Sequence, residues 1–311
     1  MPRIDMLPIA TLANGHRFEL AVHEVRGAQD GPTLGVTAAI HGDEPLGVEI
    51  VRRLLAELDP GAMRGTVLAM PVVNPYAYQA NTRNTPLDMS NLNRVFPGDP
   101  HGMLSEQLAH VVCDRFLPRL DYLVDLHSGG TYPTVDYVYI HDEGAELSYA
   151  FGQELLYRGT SYPGSLGQVA RDRGIPCVVS ELGGGQQREE HFIERGLRGI
   201  RNVMRSLGMV EGAVERPPRQ LVMSELANMH PHQGGMLVSE VTVDQLGAGI
   251  PRGTVLGRVL SPLTFETLEV VEAPFEPSLV VLIRPGTTRI DPGDYMYMMG
   301  NGATAEEVTA G

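Results

Sequence analysis

Apolar and amphipathic runs alternate through residues 17–207. Four nearly continuous apolar runs are typical of strands buried on both faces, and they cover residues 34–40, 66–73, 121–126 and 175–180. Runs with helical spacing lie between or after them, at residues 48–58, 105–116, 147–156, 167–173 and 188–207. Residues 17–26 alternate like an exposed strand, and residues 137–140 read as a further strand. This order predicts an α/β fold whose largely parallel or mixed sheet is flanked by helices.

Three segments are predicted to lack regular structure. Asp30-Gly31-Pro32 has the composition of a turn, and the residues from Asn301 onward read as a loose tail. Residues 76–103 are polar and irregular over a length that is uncommon in a compact domain. Long segments of this kind within a compact domain often have a functional role.

The composition changes at residues 215–219, which are rich in proline and charge. Helical spacing disappears after this point, and short β-type runs are separated by Gly and Pro. Residues 250–257 are echoed by residues 290–296 as strand, turn and strand. We therefore expect residues 1–214 to form a catalytic domain and residues 215–311 a small all-β domain. The latter resembles barrel-sandwich domains of the biotinyl/lipoyl type, although it has no lysine for a carrier function.

The overall composition narrows the functional class. The net charge of −14 argues against a nucleic-acid partner. The chain has no lysine, which excludes lysine-tethered cofactors and a lysine nucleophile. Cys113 and Cys177 sit in apolar runs and indicate a reduced protein. With no signal-peptide pattern and no apolar run long enough to cross a membrane, we expect a cytoplasmic protein without a membrane partner.

Candidate chemistry gathers where the predicted strands end. His41 and Glu44 follow the first buried strand, His127 the third and Glu181 the fourth. Ligands of such sheets bind beyond the carboxyl ends of the strands. His41, Glu44 and His127 can hold one zinc ion and leave a position open for water, as catalytic zinc requires. Asp125 shares a strand face with His127; orienting that ring and being an ordinary buried polar group are equally good interpretations.

Glu181 and the long polar segment supply the remaining candidates. Glu181 follows an apolar run that favours a raised pKa and a role as general base, and its alternative role is to cap the next helix. Arg94 is suited to a two-pronged contact with a carboxylate, assisted by Asn93. Arg83 is suited to a developing oxyanion. Any one of these arginines is otherwise an ordinary surface charge.

Several of these pieces occur together in the order seen in one known family. The pieces are His41-Gly42-Asp43-Glu44, Asn74-Pro75, Arg83, Asn93-Arg94, Asp125-Leu126-His127 and Glu181-Leu182-Gly183. In this arrangement, residues 30–205 resemble the succinylglutamate desuccinylase/aspartoacylase family, which is similar to the zinc carboxypeptidases. The resemblance implies a zinc-carboxypeptidase-like mixed sheet.

The same resemblance implies a role for each matched residue. His41, Glu44 and His127 would bind one zinc ion per chain, and Glu181 would act as the base that activates water. Arg83 would polarise the carbonyl, and Asn93 and Arg94 would bind the carboxylate of the substrate. These roles rest on the family pattern rather than on spacing alone.

The expected function is removal of an acyl group from a small N-acyl amino acid. The single-chain layout resembles deacylases that include N-acetyl-diaminobutyrate deacetylase, and N-acyl-aspartate or N-acyl-glutamate substrates are equally compatible. Nearby candidates for further substrate contacts are Tyr132, Tyr137, Tyr139, Tyr157 and Arg158. Two alternatives remain open: a metallocarboxypeptidase acting on short peptides, and a metal-dependent binding protein without turnover. A homo-oligomer is compatible with the sequence.

Overall fold

The apolar run before His41 forms a central strand of a large mixed sheet. In the computed structural model, which describes residues 3–160 and 162–309, the strands up to residue 183 are β1 (Arg3–Thr11), β2 (Arg17–Arg26), β3 (Gln29–Ala38), β4 (Arg64–Met70), β5 (Tyr122–His127), β6 (Thr134–Tyr139), β7 (Leu155–Tyr157) and β8 (Cys177–Gly183). The helices are α1 (Leu46–Glu57), α2 (Pro75–Ala80), α3 (Leu104–Val111), α4 (Ala145–Phe151), α5 (Leu166–Asp172) and α6 (Glu189–Ser206). A π-helical turn, Val112–Phe116, prolongs α3.

Strands are the main regular elements of the remaining chain. Its strands are β9 (Arg219–Met223), β10 (Leu226–Met229), β11 (Gly235–Ser239), β12 (Gly249–Ile250), β13 (Val255–Leu260), β14 (Thr267–Glu272), β15 (Ser278–Ile283), β16 (Thr287–Ile290), β17 (Tyr297–Asn301) and β18 (Glu306–Thr309). Short 3-10 turns connect several of them.

Two sheets contain all these strands. The larger has 14 strands in the path β1-β2-β4-β3-β5-β8-β6-β15-β17-β10, with β12, β7, β9 and β18 attached beside it. The smaller has four strands in the order β14-β13-β11-β16, all antiparallel. The predicted mixed α/β sheet and the additional C-terminal β region are confirmed. Strands from both sides of residue 215 pair within the large sheet, as β15 does with β6, and the division at residues 214 and 215 stays a prediction.

The sheet is covered on both faces, as the continuously apolar strands require. One core cluster packs α1, α4 and α6 against it through residues such as Ile50, Phe151 and Leu197. Another packs α3 and α5 on the opposite side through Leu108 and Val169. Cys113 and Cys177 are free and buried, as expected. In the part of the chain that the structure describes, no helix is long and apolar enough to cross a membrane.

Four local predictions are wrong. Residues 30–32 lie within β3 instead of forming a turn, because a register shift between Gln29 and Thr33 absorbs the glycine and proline. The predicted helix 147–156 ends at Phe151, where Gly152 adopts a left-handed φ of 84°, and residues 155–157 form β7. Of the predicted tail from Asn301 onward, residues 306–309 pair with β9, and residues 310–311 lie outside the described range. Residues 76–103 are not wholly irregular, because Asn74 caps α2 with its side chain.

Candidate active site

The three predicted zinc ligands meet at the carboxyl ends of β3 and β5, which are parallel neighbours. His41 follows β3, Glu44 precedes α1, and His127 is the last residue of β5. All three are buried, and one ligand atom from each lies within 4.8 Å of the others. Glu44 Oε1 lies 2.7 Å from His41 Nδ1, and Glu44 Oε2 lies 3.0 Å from His127 Nδ1. Among the described residues, this is the one group of three such side chains placed to hold a metal ion.

The Nε2 atom of each imidazole, on the side away from Glu44, lies within hydrogen-bond distance of a side-chain oxygen. His127 Nε2 lies 3.0 Å from Asp125 Oδ2, and the Thr37 hydroxyl donates to Asp125 Oδ1 at 2.7 Å. His41 Nε2 lies 3.1 Å from Asn91 Oδ1. Both outer contacts favour a proton on Nε2, which leaves Nδ1 of each ring as a lone-pair donor facing Glu44. Two such nitrogens and one carboxylate fit a catalytic zinc site. Of the two interpretations of Asp125, the structure therefore matches ring orientation.

The electrostatics of the cluster show why it is suited to a cation. Burial alone would raise the pKa of Glu44, but the His41 and His127 rings outweigh burial and hold that pKa far below its usual range. Burial lowers the pKa of His41 despite Glu44 beside it. For His127 burial also acts downward, but the Asp125 and Glu44 carboxylates raise the pKa well above its usual value. Two buried carboxylates thus concentrate negative potential around this ring. A proton on the imidazole balances that potential in the metal-free protein, and a bound metal ion would displace the proton and take over its charge.

Glu181 lies beside this cluster on the next strand. β8 runs parallel to β5 with Glu181 in register with His127. Burial raises the pKa of Glu181 to about 7, with further upward contributions from Glu44 and Asp125 and opposing contributions from His127 and Arg83. It lies within β8, and α6 begins only at Glu189, so it does not cap that helix. A partly buried carboxyl group that titrates near neutrality is suited to accept and return a proton.

The predicted cationic and amide groups reach the same cavity from the segment after α2. Arg83 Nη1 donates to Glu44 Oε1 at 3.2 Å, and it lines the cavity together with Asn93 and Arg94. The Asn93 side-chain oxygen accepts from the Leu166 amide at 2.9 Å, which turns its nitrogen toward His127, 3.5 Å away. The Arg94 guanidinium lies 4.2 Å from the centre of the Tyr162 ring. The structure thus brings all seven predicted site residues together.

Other residues of the cavity were only partly anticipated. Tyr137 and Tyr139 line it, whereas Tyr132, Tyr157 and Arg158 are not among the residues that line it. Lining residues that the sequence did not suggest include His141, Tyr162, Arg171, Leu282, Tyr295 and Met298. The alternation of Tyr137 and Tyr139 in β6, continued by His141 just after the strand, is a signal that marks one face. No comparable signal exists for Leu282 in β15, Met298 in β17 and Tyr295 just before β17.

Comparisons with known proteins agree with the fold and the motifs. The model of the succinylglutamate desuccinylase/aspartoacylase catalytic domain matches residues 30–207. N-alpha-acetyl-L-2,4-diaminobutyric acid deacetylase from Halomonas elongata is 29% identical over 282 residues, which are 85% of this chain and 81% of the relative.

Two solved structures resemble the chain over almost its whole length. The succinylglutamate desuccinylase/aspartoacylase from Rhodobacter sphaeroides superposes with a TM-score of 0.83 at 26% identity, covering 97% of this chain and 95% of the other. The ectoine utilization protein EutE (DoeB) from Ruegeria pomeroyi, in a product-bound structure, superposes with a TM-score of 0.84 at 25% identity, again covering 97% and 95%.

Proposed function

Because the chain belongs to the succinylglutamate desuccinylase/aspartoacylase family, we propose that it is a metal-dependent amidohydrolase that deacylates a small N-acyl amino acid. The observation that carries this proposal is the buried cluster His41, Glu44 and His127 with Glu181 in register beside His127. The similarity to a deacetylase of N-acetyl-diaminobutyrate supports the same reaction class.

The metal that fits this donor set best is zinc, one ion per chain, held by His41 Nδ1, His127 Nδ1 and the Glu44 carboxylate. When bound, zinc would lower the pKa of water and polarise the amide carbonyl. Asp125 and Asn91 would keep the two imidazoles in the tautomer that binds metal, because each accepts from an Nε2–H. These contacts would preorganise both imidazoles for metal binding, which favours a metal site over a chance grouping of side chains.

Glu181 is proposed as the general base and then the general acid. It takes a proton from the attacking water as the new carbon–oxygen bond forms, and it returns that proton to the amide nitrogen as the carbon–nitrogen bond breaks. A pKa near 7 suits both transfers, because the group must be able to hold and release a proton at neutral pH. Arg83 lines the cavity beside Glu44 and is placed to stabilise negative charge on the carbonyl oxygen of the substrate amide.

Asn93 and Arg94 are proposed to bind the substrate carboxylate. The side-chain nitrogen of Asn93 is directed into the cavity, and the exposed Arg94 guanidinium is steadied by the Tyr162 ring. This pair would hold the amino-acid part of the substrate while the acyl carbonyl lies toward Arg83. We infer a substrate of the N-acetyl-diaminobutyrate or N-acyl-aspartate/glutamate kind, and a cytoplasmic enzyme.

A hydrolysis screen tests this function and separates it from a carboxypeptidase. Zinc-loaded protein is incubated with N-acetyl and N-succinyl derivatives of diaminobutyrate, aspartate and glutamate, and with dipeptides; chelator-treated protein is the control. We expect metal-dependent release of the free amino acid from at least one capped amino acid and slower cleavage of peptides. Faster cleavage of peptides would favour the carboxypeptidase, and saturable binding without any turnover would favour a binding protein.

A further inference from the structure

A buried polar network lies behind the strand that carries Glu181. Ser180, the residue before Glu181, and Asp136 on β6 both lie on the side of the sheet away from the cavity. Gln153, in the connection between α4 and β7, reaches both of them and is only 2% exposed. Arg195 of α6 pairs with the outer oxygen of Asp136. The network joins a helix and two strands at the back of the candidate active site.

The side-chain amide of Gln153 uses all of its main hydrogen-bonding capacity on this network. Its nitrogen donates to the backbone carbonyl of Glu181 at 2.9 Å and to Asp136 Oδ1 at 2.8 Å. Its oxygen accepts from the Ser180 hydroxyl at 2.7 Å. These partners fix the orientation of the amide, because an exchanged oxygen and nitrogen would oppose a carbonyl and a carboxylate. A fully satisfied buried network of this kind makes its surroundings rigid.

The network lies where the pairing of neighbouring strands in the sheet changes from parallel to antiparallel. β5 and β8 are parallel, whereas β8 and β6 are antiparallel. Glu181 stands at this junction, with His127 in register on one side and Tyr137 on the other. Gln153 binds the backbone of Glu181 and, through Asp136, the neighbouring strand β6. Its contacts therefore fix the Glu181 backbone relative to β6, the strand whose Tyr137 is in register with Glu181.

We propose that Gln153 is a positioning residue that fixes the Glu181 backbone between β8 and β6 and thereby keeps the Glu181 carboxyl group in its place beside the metal ligands. The inference rests on the proposed function, since it concerns the base of that reaction. Gln153 lies behind the sheet and does not line the cavity. Its effect must pass through the Glu181 backbone, and a displacement of about 1 Å in a catalytic group can reduce the rate by about a hundredfold.

The test replaces the amide by a side chain of similar length without polar atoms, Gln153→Met. We expect kcat to fall about 10- to 100-fold, while KM changes less than about threefold and zinc content stays at one per chain. Hydrogen exchange of the amides in residues 180–183 should become faster. Ser180→Ala, which removes a single hydrogen bond, should lower kcat by a smaller factor and serves if Gln153→Met does not fold.

Asn202→Leu is the matched control. Asn202 is a fully buried amide on α6 with three hydrogen bonds of its own, to Arg205 and to the backbone of Glu215. Its loss should lower stability in a similar way, because the side chain is equally buried, but none of its hydrogen bonds involves Gln153 or β8. We expect kcat per bound zinc to stay within about threefold of wild type and exchange at residues 180–183 to be unchanged.

A double-mutant cycle decides whether Gln153 acts through Glu181. In a Glu181→Gln background, Gln153→Met should cause no further loss of kcat, because the group that it positions no longer transfers a proton. A loss that multiplies with that of Glu181→Gln, or a wild-type kcat in Gln153→Met, would overturn the inference. The proposed function fails differently: wild type would lack hydrolysis, or Glu181→Gln would leave it unchanged.

Discussion

Glu44 and Glu181 have the same side chain, but their different surroundings suit them to different chemical roles. Glu44 and Glu181 carry the same carboxyl group near the same histidines, yet their pKa values move in opposite directions. Glu44 lies between two imidazoles that stabilise its charge, whereas burial dominates at Glu181. Carboxyl groups with separated pKa values commonly have separate roles in one mechanism. Glu44 is suited to permanent ionisation as a ligand, and Glu181 to proton transfer.

The raised pKa of Glu181 predicts a pH-dependent stability in metal-free protein. Its folded pKa of about 7 exceeds its ordinary value of 4.5, so the folded state retains a proton that the unfolded chain releases. The stabilisation is complete below the ordinary value and is lost as the pH rises through about 7.

Urea unfolding of chelator-treated wild type and Glu181→Gln at pH 5 and pH 8 measures this loss. The variant should be similar to wild type at pH 5 and more stable by about 1–2 kcal/mol at pH 8, a discounted value because solvent reaches part of the side chain. Equal differences at the two pH values would show that Glu181 does not titrate in this way.

Arg94 is predicted to act by geometry rather than by charge alone. In Arg94→Lys, an ammonium group cannot make the two parallel contacts that a guanidinium makes with a carboxylate. We expect KM for the preferred substrate to rise about tenfold with little change in kcat, measured by steady-state kinetics. Arg115→Lys, at an exposed ion pair on the turn after α3, is the control. Equal cleavage of acid and amide forms of the substrate by wild type would contradict carboxylate binding.

At the scale of elements, the strands that carry the site were the most predictable part of the chain. The runs ending at His41, His127 and Glu181 are apolar because β3, β5 and β8 are buried on both faces, so their limits stand out. Short strands such as β7, with three residues, and β18, with four, are too short to leave a comparable pattern. Their pairing depends on residues far away in the chain, which local sequence cannot reveal. The places of Tyr295 in the cavity and of Gln153 behind it likewise depend on contacts with residues that are distant in the sequence.

The loop between β3 and α1 depends on the absence of a side chain at Gly42. Its amide donates to the Thr82 carbonyl at 2.9 Å, and an added Cβ would lie 1.8 Å from the backbone carbon of Ala77. Gly42→Ala must therefore push the loop away from α2 and displace His41 and Glu44. We expect zinc affinity to fall about 10- to 100-fold, measured by competition with a chromogenic chelator.

Gly249→Ala provides the control for this substitution. An added Cβ at Gly249 meets only ordinary contacts, the nearest at 3.5 Å from Pro277. Zinc affinity should stay at the wild-type value in this variant. A Gly42→Ala variant that also binds zinc normally would show that the loop tolerates the displacement.

At the scale of the whole molecule, the C-terminal strands complete the sheet and the cavity. β15 pairs with β6, the strand that carries Tyr137, and β9 pairs with β7. Leu282, Tyr295 and Met298 form part of the cavity wall. The sequence change at residues 215–219 marked the arrival of a β region correctly, but residue pattern alone could not show that its strands continue the first sheet.

A chain that ends at Arg216 should therefore lose activity. The truncation removes the partners of β6 and β7 and leaves unpaired, apolar strand edges, which favour aggregation. We expect an insoluble protein, or a soluble one with less than about 1% of wild-type kcat, measured after size-exclusion chromatography. A chain ending at Thr304 loses only β18 and should keep kcat within about threefold. Full activity of the shorter chain would contradict a role of the C-terminal strands in the cavity.

Glu181 is proposed to transfer protons beside a metal held by His41, Glu44 and His127. The most direct measurement determines kcat and zinc content on one preparation of Glu181→Gln, with His127→Ala as the variant that should lose both. Glutamine fills the same space without accepting the proton, so we expect one zinc per chain, similar substrate affinity and a kcat at least about a hundredfold lower. A kcat near wild type would contradict the mechanism, and loss of zinc would make Glu181 a ligand instead.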